Sequence, residues 1–540
     1  MPLATAFLAS IVLGGCRSDK PAADSAADSA VTTADSDADT DSDTDADSDT
    51  DTDTDTDTDT DTDTDTDTDT NADSGSDTGP TSDGYRWSGQ SNVDEAGVAL
   101  LGTWAGDRAG ACVEGGGDLT GDGVPDLVVD APRATASASA SGEVYVVSGT
   151  IAGSVSLKDA DARILGDQDS QQVGWDVAVL HDVNGDGVAD LLVGAGESGG
   201  SNRSTPREAW LYYGPLTGDL ATSDADLHFT GADPTGYAGW VVASGGDLDG
   251  DGRTDWLATD FYGSGTAYAW FAADGASGVM SDASVVIKAG ESFGLAAQGV
   301  GDVDGDGFDD MIVGGQGTTT SGGEVWLFHG PLTRLRSADD ADAYWQRSSD
   351  YTAIGGLAYY ENSMSGGAPT AGTSGVSPGD LDGDGTADLV LGAAGENDGG
   401  DGSGAVYIVD GGASGKTDIS TAKATILGEN TYEALGATVS TPGDVDGDGA
   451  EDLWIGATGA LANGTNSGSA FLFYGPVTGS HVASDADARF DGLGPNHGLG
   501  VVGAAGDVDG DGHADLLVGE PYGDGDDAGS GVAWLIPGGG

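Results

Sequence analysis

The chain has 540 residues, 96 of them Gly, with 17 Lys and Arg against 93 Asp and Glu and a formal net charge of -76. A charge of that sign excludes unassisted binding to nucleic acid or anionic lipid, because both partners repel it within a Debye length. Abundant Gly weakens helices and marks turns, so many short strands are expected. With Cys16 and Cys112 as the only cysteines, no disulfide framework is available.

Residues Leu3 to Leu13 form an apolar run too short to cross a bilayer, ending in Leu13-Gly14-Gly15-Cys16. The tetrad resembles a bacterial lipobox, which implies a signal peptide over 1–15, cleavage before Cys16 and lipidation of its thiol. Residues 16–84 are dominated by Asp, Thr, Ser and Ala, with unbroken Asp-Thr alternation from Asp49 to Thr70. Nothing there can bury a core, so the segment reads as a disordered stalk. As a flexible coil it spans roughly 45 Å, and self-repulsion lengthens it.

From 85 to 540 the composition turns to Gly, Val, Leu and Trp, and one acidic loop recurs seven times. The first two copies are Asp118, Thr120, Asp122, Val124, Asp126 and Asp182, Asn184, Asp186, Val188, Asp190. Three follow as Asp247, Asp249, Asp251, Arg253, Asp255; Asp302, Asp304, Asp306, Phe308, Asp310; and Asp380, Asp382, Asp384, Thr386, Asp388. The last two are Asp444, Asp446, Asp448, Ala450, Asp452 and Asp507, Asp509, Asp511, His513, Asp515. Each copy offers side-chain oxygens at its first, third and fifth positions, a backbone carbonyl at the seventh and a closing Asp at the ninth, which is a hard-oxygen set suited to calcium. An EF-hand would need a Glu at the twelfth position, where the fourth copy has Val313 inside an apolar run. The loop therefore feeds a strand, and a helix-loop-helix is excluded. Ligand charge tunes affinity, so the copies with Thr120 and Asn184 are expected to bind less tightly.

The loops recur at intervals of 55 to 78 residues, which separates them from tandem calcium repeats packed loop against loop and leaves room for a folded unit between them. Within the units a Gly stands before a strand at Gly110, Gly174, Gly239, Gly294, Gly372 and Gly436, with Gly498 or Gly500 in the seventh. An apolar run follows each loop, a third run follows as in Val144–Val147 and Val325–Phe328, and an edge-like fourth as in Ala162–Leu165 and Ala424–Leu427. Four short strands per unit make a propeller blade.

Phe293-Gly294, the Val-Gly-Ala runs and Val129-Asp-Ala-Pro132 resemble the FG-GAP repeats of the integrin alpha-chain propeller. The resemblance implies an all-β, seven-bladed ring in which each repeat starts with the outer strand of one blade and continues with the inner three of the next. Val98–Leu101 would then complete the last blade, whose inner strands end at Ile536, and ring closure would remove exposed sheet edges. It also implies partner binding on the face opposite the calcium loops. There the longest interval carries Tyr344, Trp345, Arg347, Tyr351, Tyr359 and Tyr360, either as a contact site or as an outer strand packed on its own blade.

No G-x-S-x-G elbow, H-E-x-x-H or P-loop is present. The six His are scattered, with His181 and His513 touching loops as surface residues. Cys112 reads as a small buried apolar residue, and Trp210, Trp326 and Trp534 as blade packing. The expectation is a non-enzymatic, surface-displayed propeller, lipid-anchored in the cell envelope at the outer membrane. It would be stabilised by up to seven Ca2+ and bind protein or glycan partners in adhesion, without nucleic acid. A lectin, or a calcium-dependent hydrolase built on the propeller, is the alternative.

Overall fold

The structure is a computed structural model that describes residues 86–196, 207–233, 236–261, 265–290, 293–315, 323–332, 336–346 and 376–539. The expected signal peptide, Cys16 and the Asp-Thr stalk lie outside the described residues. The described residues belong to one compact unit, made of seven separate five-stranded sheets.

Blade 1 shows the plan. Val113–Gly117, Asp126–Ala131, Glu143–Ser148 and Ala162–Leu165 form an antiparallel meander, and Gly218–Ala221 joins its outer edge in parallel. The second strand is wholly buried, as its unbroken run Asp-Leu-Val-Val-Asp-Ala demands, since a strand covered on both faces need not alternate. The expected four strands per blade are present, and a fifth is added. That fifth strand comes from the segment preceding the outer strand of the following blade, so each blade borrows an edge from its neighbour. After each such strand comes a short helical turn, as at Leu157–Asp159, Thr222–Asp224 and Ala483–Asp485.

The ring closes through the chain's two ends. Val98–Leu101 pairs antiparallel with Val532–Ile536, making it the fourth strand of blade 7. Gly89–Asn92 pairs in parallel with Ala488–Asp491 of blade 6. One apolar cluster fills each interface between neighbouring blades, including that between blades 7 and 1, where Leu100, Leu517 and Leu535 meet Val113, Leu127 and Tyr145. The Gly expected before the first strand lies at its second position and is needed for close approach: within Val173–Leu180, Gly174 has φ +79°, and a Cβ there would stand 2.5 Å from Val144 Cγ2.

The aromatic stretch of the longest interval divides. Trp345 is buried and Tyr344 donates its hydroxyl to Glu324 at 2.6 Å, so Ala343–Gln346 is an outer strand packed on blade 4. Arg347, Tyr351, Tyr359 and Tyr360 lie outside the described residues. Trp210 and Trp534 are buried, and Trp326 packs edge-on to Phe293, 5.1 Å between ring centres. All three serve blade packing. Cys112 is buried, its thiol donating to Asp176 at 3.5 Å, and burial beside Asp176 and Asp130 holds its pKa well up.

Candidate functional site

Each acidic loop joins the first strand of a blade to the second, and all seven therefore open on the same end of the ring. Their tightness depends on paired glycines. Gly305 and Gly307 have φ +79° and +93°, and the other six loops carry the same pair in the left-handed region, which costs an L side chain roughly 1–2 kcal/mol. The loop then folds around its first carboxylate. Asp302 Oδ1 accepts the N–H of Gly305 at 2.7 Å and of Asp306 at 3.0 Å, while Oδ2 accepts that of Gly307 at 2.8 Å. Asp304 Oδ1 accepts from Asp306 at 3.1 Å, and Asp306 Oδ1 from Phe308 at 3.0 Å. These bonds turn the side chains at positions one, three and five inward.

The closing Asp does more than close. In five loops one oxygen of Asp190, Asp255, Asp310, Asp452 or Asp515 accepts the N–H of the loop's second residue at 2.8–3.0 Å. The other oxygen accepts an N–H just past the third strand, at Gly214, Ala272, Gly330, Gly475 or Gly538, at 2.7–2.9 Å. The carboxylate thus clips the loop to the far end of its blade. It keeps lone pairs for a cation, since a carboxylate offers about four acceptor sites. Burial pushes Asp255 and Asp452 up to about 7, and Asp126, Asp190, Asp310 and Asp515 up to about 6, the backbone N–H bonds working against it. A bound cation would reverse that desolvation cost.

The seven donor sets are not equal. Among the described residues, carboxylate oxygens lie within 4.8 Å of one another in Asp247-Asp249-Asp251, Asp302-Asp304-Asp306, Asp380-Asp382-Asp388, Asp444-Asp446-Asp452 and Asp507-Asp509-Asp511. The loops with Thr120 and Asn184 are missing from this set. Asn184 instead donates its amide to Asp186 at 3.0 Å, and Thr120 its hydroxyl to Asp126 at 3.3 Å. Loops 3, 4, 6 and 7 present only hard oxygens at their convergence and fit a divalent ion. Basic side chains also reach three of the loops. Arg86 stands 2.5 Å from Asp446 and 2.8 Å from Asp448, His329 Nδ1 stands 3.1 Å from Asp304, and Lys423 contacts three carboxylates of loop 5.

Although far apart in sequence, neighbouring loops touch. Ala189 N–H donates to Asp118 O at 3.0 Å, Asp309 to Asp247 O at 3.0 Å, and Ala514 to Asp444 O at 2.9 Å. Phe308 and His513 lean over Gly250 and Gly447 of the preceding loops. His513 is half-buried in this contact, and His181 is exposed.

The opposite end of the ring has another character. Among the described residues, the exposed large apolar side chains there are Trp104, Tyr432, Leu461 and Leu493. They sit on connections at 102–109, 428–434, 458–468 and 492–500, all between blade 5 and blade 1 by way of blades 6 and 7. Buried carboxylates stiffen these connections. Glu520 accepts the N–H of Leu493 at 2.9 Å, His497 Nδ1 at 3.0 Å and Trp534 Nε1 at 3.2 Å, and Glu433 accepts the N–H groups of Glu429 and Asn430 at 2.9 Å.

Comparison with known proteins accords with this ring. The FG-GAP repeat pattern matches residues 114–147, 173–205, 372–409 and 499–536. Integrin alpha-5 of Xenopus laevis is 33% identical over 219 residues, 38% of this chain and 20% of that protein. Integrin alpha-IIb of Homo sapiens is 35% identical over 165 residues, 29% of this chain and 16% of that protein. Phosphatidylinositol-glycan-specific phospholipase D of Rattus norvegicus is 34% identical over 144 residues, 26% of this chain and 17% of that protein. The matches thus span a fifth or less of each relative. A crystal structure of BBS1N in complex with ARL6DN superposes with a TM-score of 0.41 at 10% identity, covering 82% of this chain and 98% of that one. Seven blades with their acidic loops make the chain a seven-bladed β-propeller, four stretches of which match the FG-GAP repeat and part of which is similar to the integrin alpha chains.

Proposed function

We propose that the chain is a non-catalytic, calcium-stabilised recognition propeller that binds a protein ligand through the end opposite its acidic loops. The observation that carries this reading is the division of the ring's two ends: convergent carboxylates on one, and an arc of exposed Trp104, Tyr432, Leu461 and Leu493 on the other. Exposed apolar side chains gathered on rigid connections mark contact surfaces, with aromatics as anchors. Similarity to integrin alpha-5 and alpha-IIb favours a protein ligand; the role assigned here is adhesion, with display from the cell envelope on a lipid-anchored stalk resting on Leu13-Gly14-Gly15-Cys16. A glycan ligand is the second reading, since blade connections can form repeated sugar pockets. The match to phosphatidylinositol-glycan-specific phospholipase D covers 17% of that protein, and this reading carries no reaction over from it.

In this reading the carboxylates of loops 3, 4, 6 and 7 hold calcium, whose charge cancels their mutual repulsion and locks the loops. Two experiments test it. Thermal unfolding is expected to shift upward with calcium and not with magnesium at equal concentration; equal response to both ions sinks the calcium assignment. Ligand captured by the immobilised chain from a panel of extracellular proteins and glycans is expected to be lost in Trp104→Ala and Tyr432→Ala with unchanged unfolding temperature. Retained capture in both variants sinks the assignment of that end.

A further inference from the structure

We infer that the blade 5 loop takes no metal, because the chain supplies its own cation there: the ammonium of Lys423 fills the cage. This rests on reading the other acidic loops as metal sites. Lys423 Nζ lies 2.9 Å from Asp382 Oδ2, 3.1 Å from Asp384 Oδ2 and 3.0 Å from Asp388 Oδ1. An ammonium has three donors, and each here meets a different carboxylate. They are the third, fifth and ninth positions of the loop, the ones an ion would use.

The repeat shows that this is a substitution and not a stray surface contact. Lys423 stands directly before the fourth strand, Ala424–Leu427. The same place is held by Asp161, Asp226, Asp342 and Asp487 in blades 1, 2, 4 and 6, and by Ser284 in blade 3. There the side chain accepts a backbone N–H from Ser148, Tyr213, His329, Tyr474 or Phe271 at 2.8–3.1 Å. In blade 5 an acceptor has become a donor, and the facing position at the end of the third strand is Asp410. Lys423 Nζ also takes the place that a backbone N–H holds beside Asp190, Asp255, Asp310, Asp452 and Asp515, for Gly411 N–H goes instead to Ala387 O at 3.1 Å.

The stem cannot easily withdraw. Lys423 N–H donates to Ile408 O at 2.8 Å, and its carbonyl accepts from Gly479 at 3.2 Å, so the backbone is pinned on both sides between strands. Calcium requires several oxygens at about 2.3–2.6 Å, which leaves no room for an ammonium hydrogen-bonded to the same atoms. Arg86 and His329 differ. The Arg86 side chain is half exposed and reaches only Asp446 and Asp448, and His329 reaches only Asp304, so neither joins the third, fifth and ninth positions of its loop as Lys423 does.

The test compares the full-length wild type with Lys423→Met and Lys423→Ser, the second matching blade 3. Bound calcium per chain, counted after equilibrium dialysis, is expected to rise by one in both variants, the stalk contributing equally to all three. Wild type and variants binding the same non-zero number overturns the proposal. Should the wild type bind none and the variants gain none, the metal reading of the whole ring falls, and this inference with it. A wild-type measurement guards against misfolded variants. Amide exchange over 380–388 is expected to change less than twofold on calcium addition, while 247–255 and 507–515 slow at least tenfold. Slowing of 380–388 alongside the others overturns the inference.

Discussion

Protons and calcium should compete for the closing carboxylates, and the structure sets the size of the effect. Asp255 and Asp452 are raised from 3.8 to about 7 by burial. A raised acid binds its proton more tightly in the folded chain than in the unfolded one, so the associated stability is complete below pH 3.8 and lost as pH climbs through 7. For the metal-free ring, moving from pH 5 to 7.5 then costs roughly 2–3 kcal/mol for each of these two groups. Calcium demands the ionised form and reverses the order. At pH 5 a carboxyl of pKa about 7 is protonated in all but ~1% of molecules, so apparent affinity at loops 3 and 6 falls roughly 100-fold below its high-pH value. Loops whose closing Asp lies at about 6 lose roughly tenfold. The assay is calcium calorimetry at pH 5.0, 6.0 and 7.5 with unfolding temperatures in chelator alongside. Affinities constant within threefold, or a metal-free ring more stable at pH 7.5 than at pH 5, would refute the assignment of these carboxylates to the cation.

Three further outcomes are expected. Leu100→Ala should destabilise the ring by roughly 2–5 kcal/mol, as for any fully buried Leu, and by about as much as Ile426→Ala in blade 5, since both are buried fourth-strand residues; a urea-unfolding cost under ~1 kcal/mol for Leu100→Ala alone would show that the chain ends do not close the ring. Gly305→Ala should cost roughly 1–2 kcal/mol and weaken calcium binding at loop 4 in calorimetry, because its φ of +79° is left-handed. Cys112, buried between two carboxylates, should react with iodoacetamide at least ~100-fold more slowly in the native chain than in urea, followed by peptide mapping, since thiolate and access are both suppressed.

Much of the fold is legible in the sequence because its demands are local and repeated. Alternate Asp with Gly at Gly305 and Gly307 permits few backbone paths, and the missing acid at Val313 sends the chain into a strand. Ring closure by Val98–Leu101 follows from the offset of repeat against blade that the family resemblance implies. The fifth strands are harder to read. Gly218–Ala221 and Gly415–Asp418 pair in parallel through backbone alone and are largely exposed, so no apolar alternation marks them. The contact of loop with loop is equally invisible, being made between residues such as Asp247 and Asp309 that only the ring brings together. Lys423 did leave a signal. Ser223-Asp-Ala-Asp226 and Ser484-Asp-Ala-Asp487 mark the turn before the fourth strand, and aligning them with the acidic loops exposes the one Lys among acceptors.

The departures from the repeat explain how one fold can hold both rigidity and recognition. On the proposed reading the convergent acidic loops are neutralised by two routes, a site open to an ion or an ammonium fixed in the chain. Loop 5 adjoins the longest interval between loops, and its cage is held by Lys423, so its geometry is independent of calcium concentration. On the opposite end of the ring the exposed arc begins at Tyr432, on the connection from blade 5 to blade 6, and runs across blades 6 and 7 to Trp104. The strands of blades 6 and 7 that carry that arc end below in loops 6 and 7, whose carboxylates converge without a fixed ammonium. Calcium occupancy therefore bears directly on the supports of the arc, while blade 5 stays clamped as the neighbour against which they are ordered. Recognition that weakens under chelation while blade 5 stays folded is the physical consequence of that unequal distribution of cations around the ring.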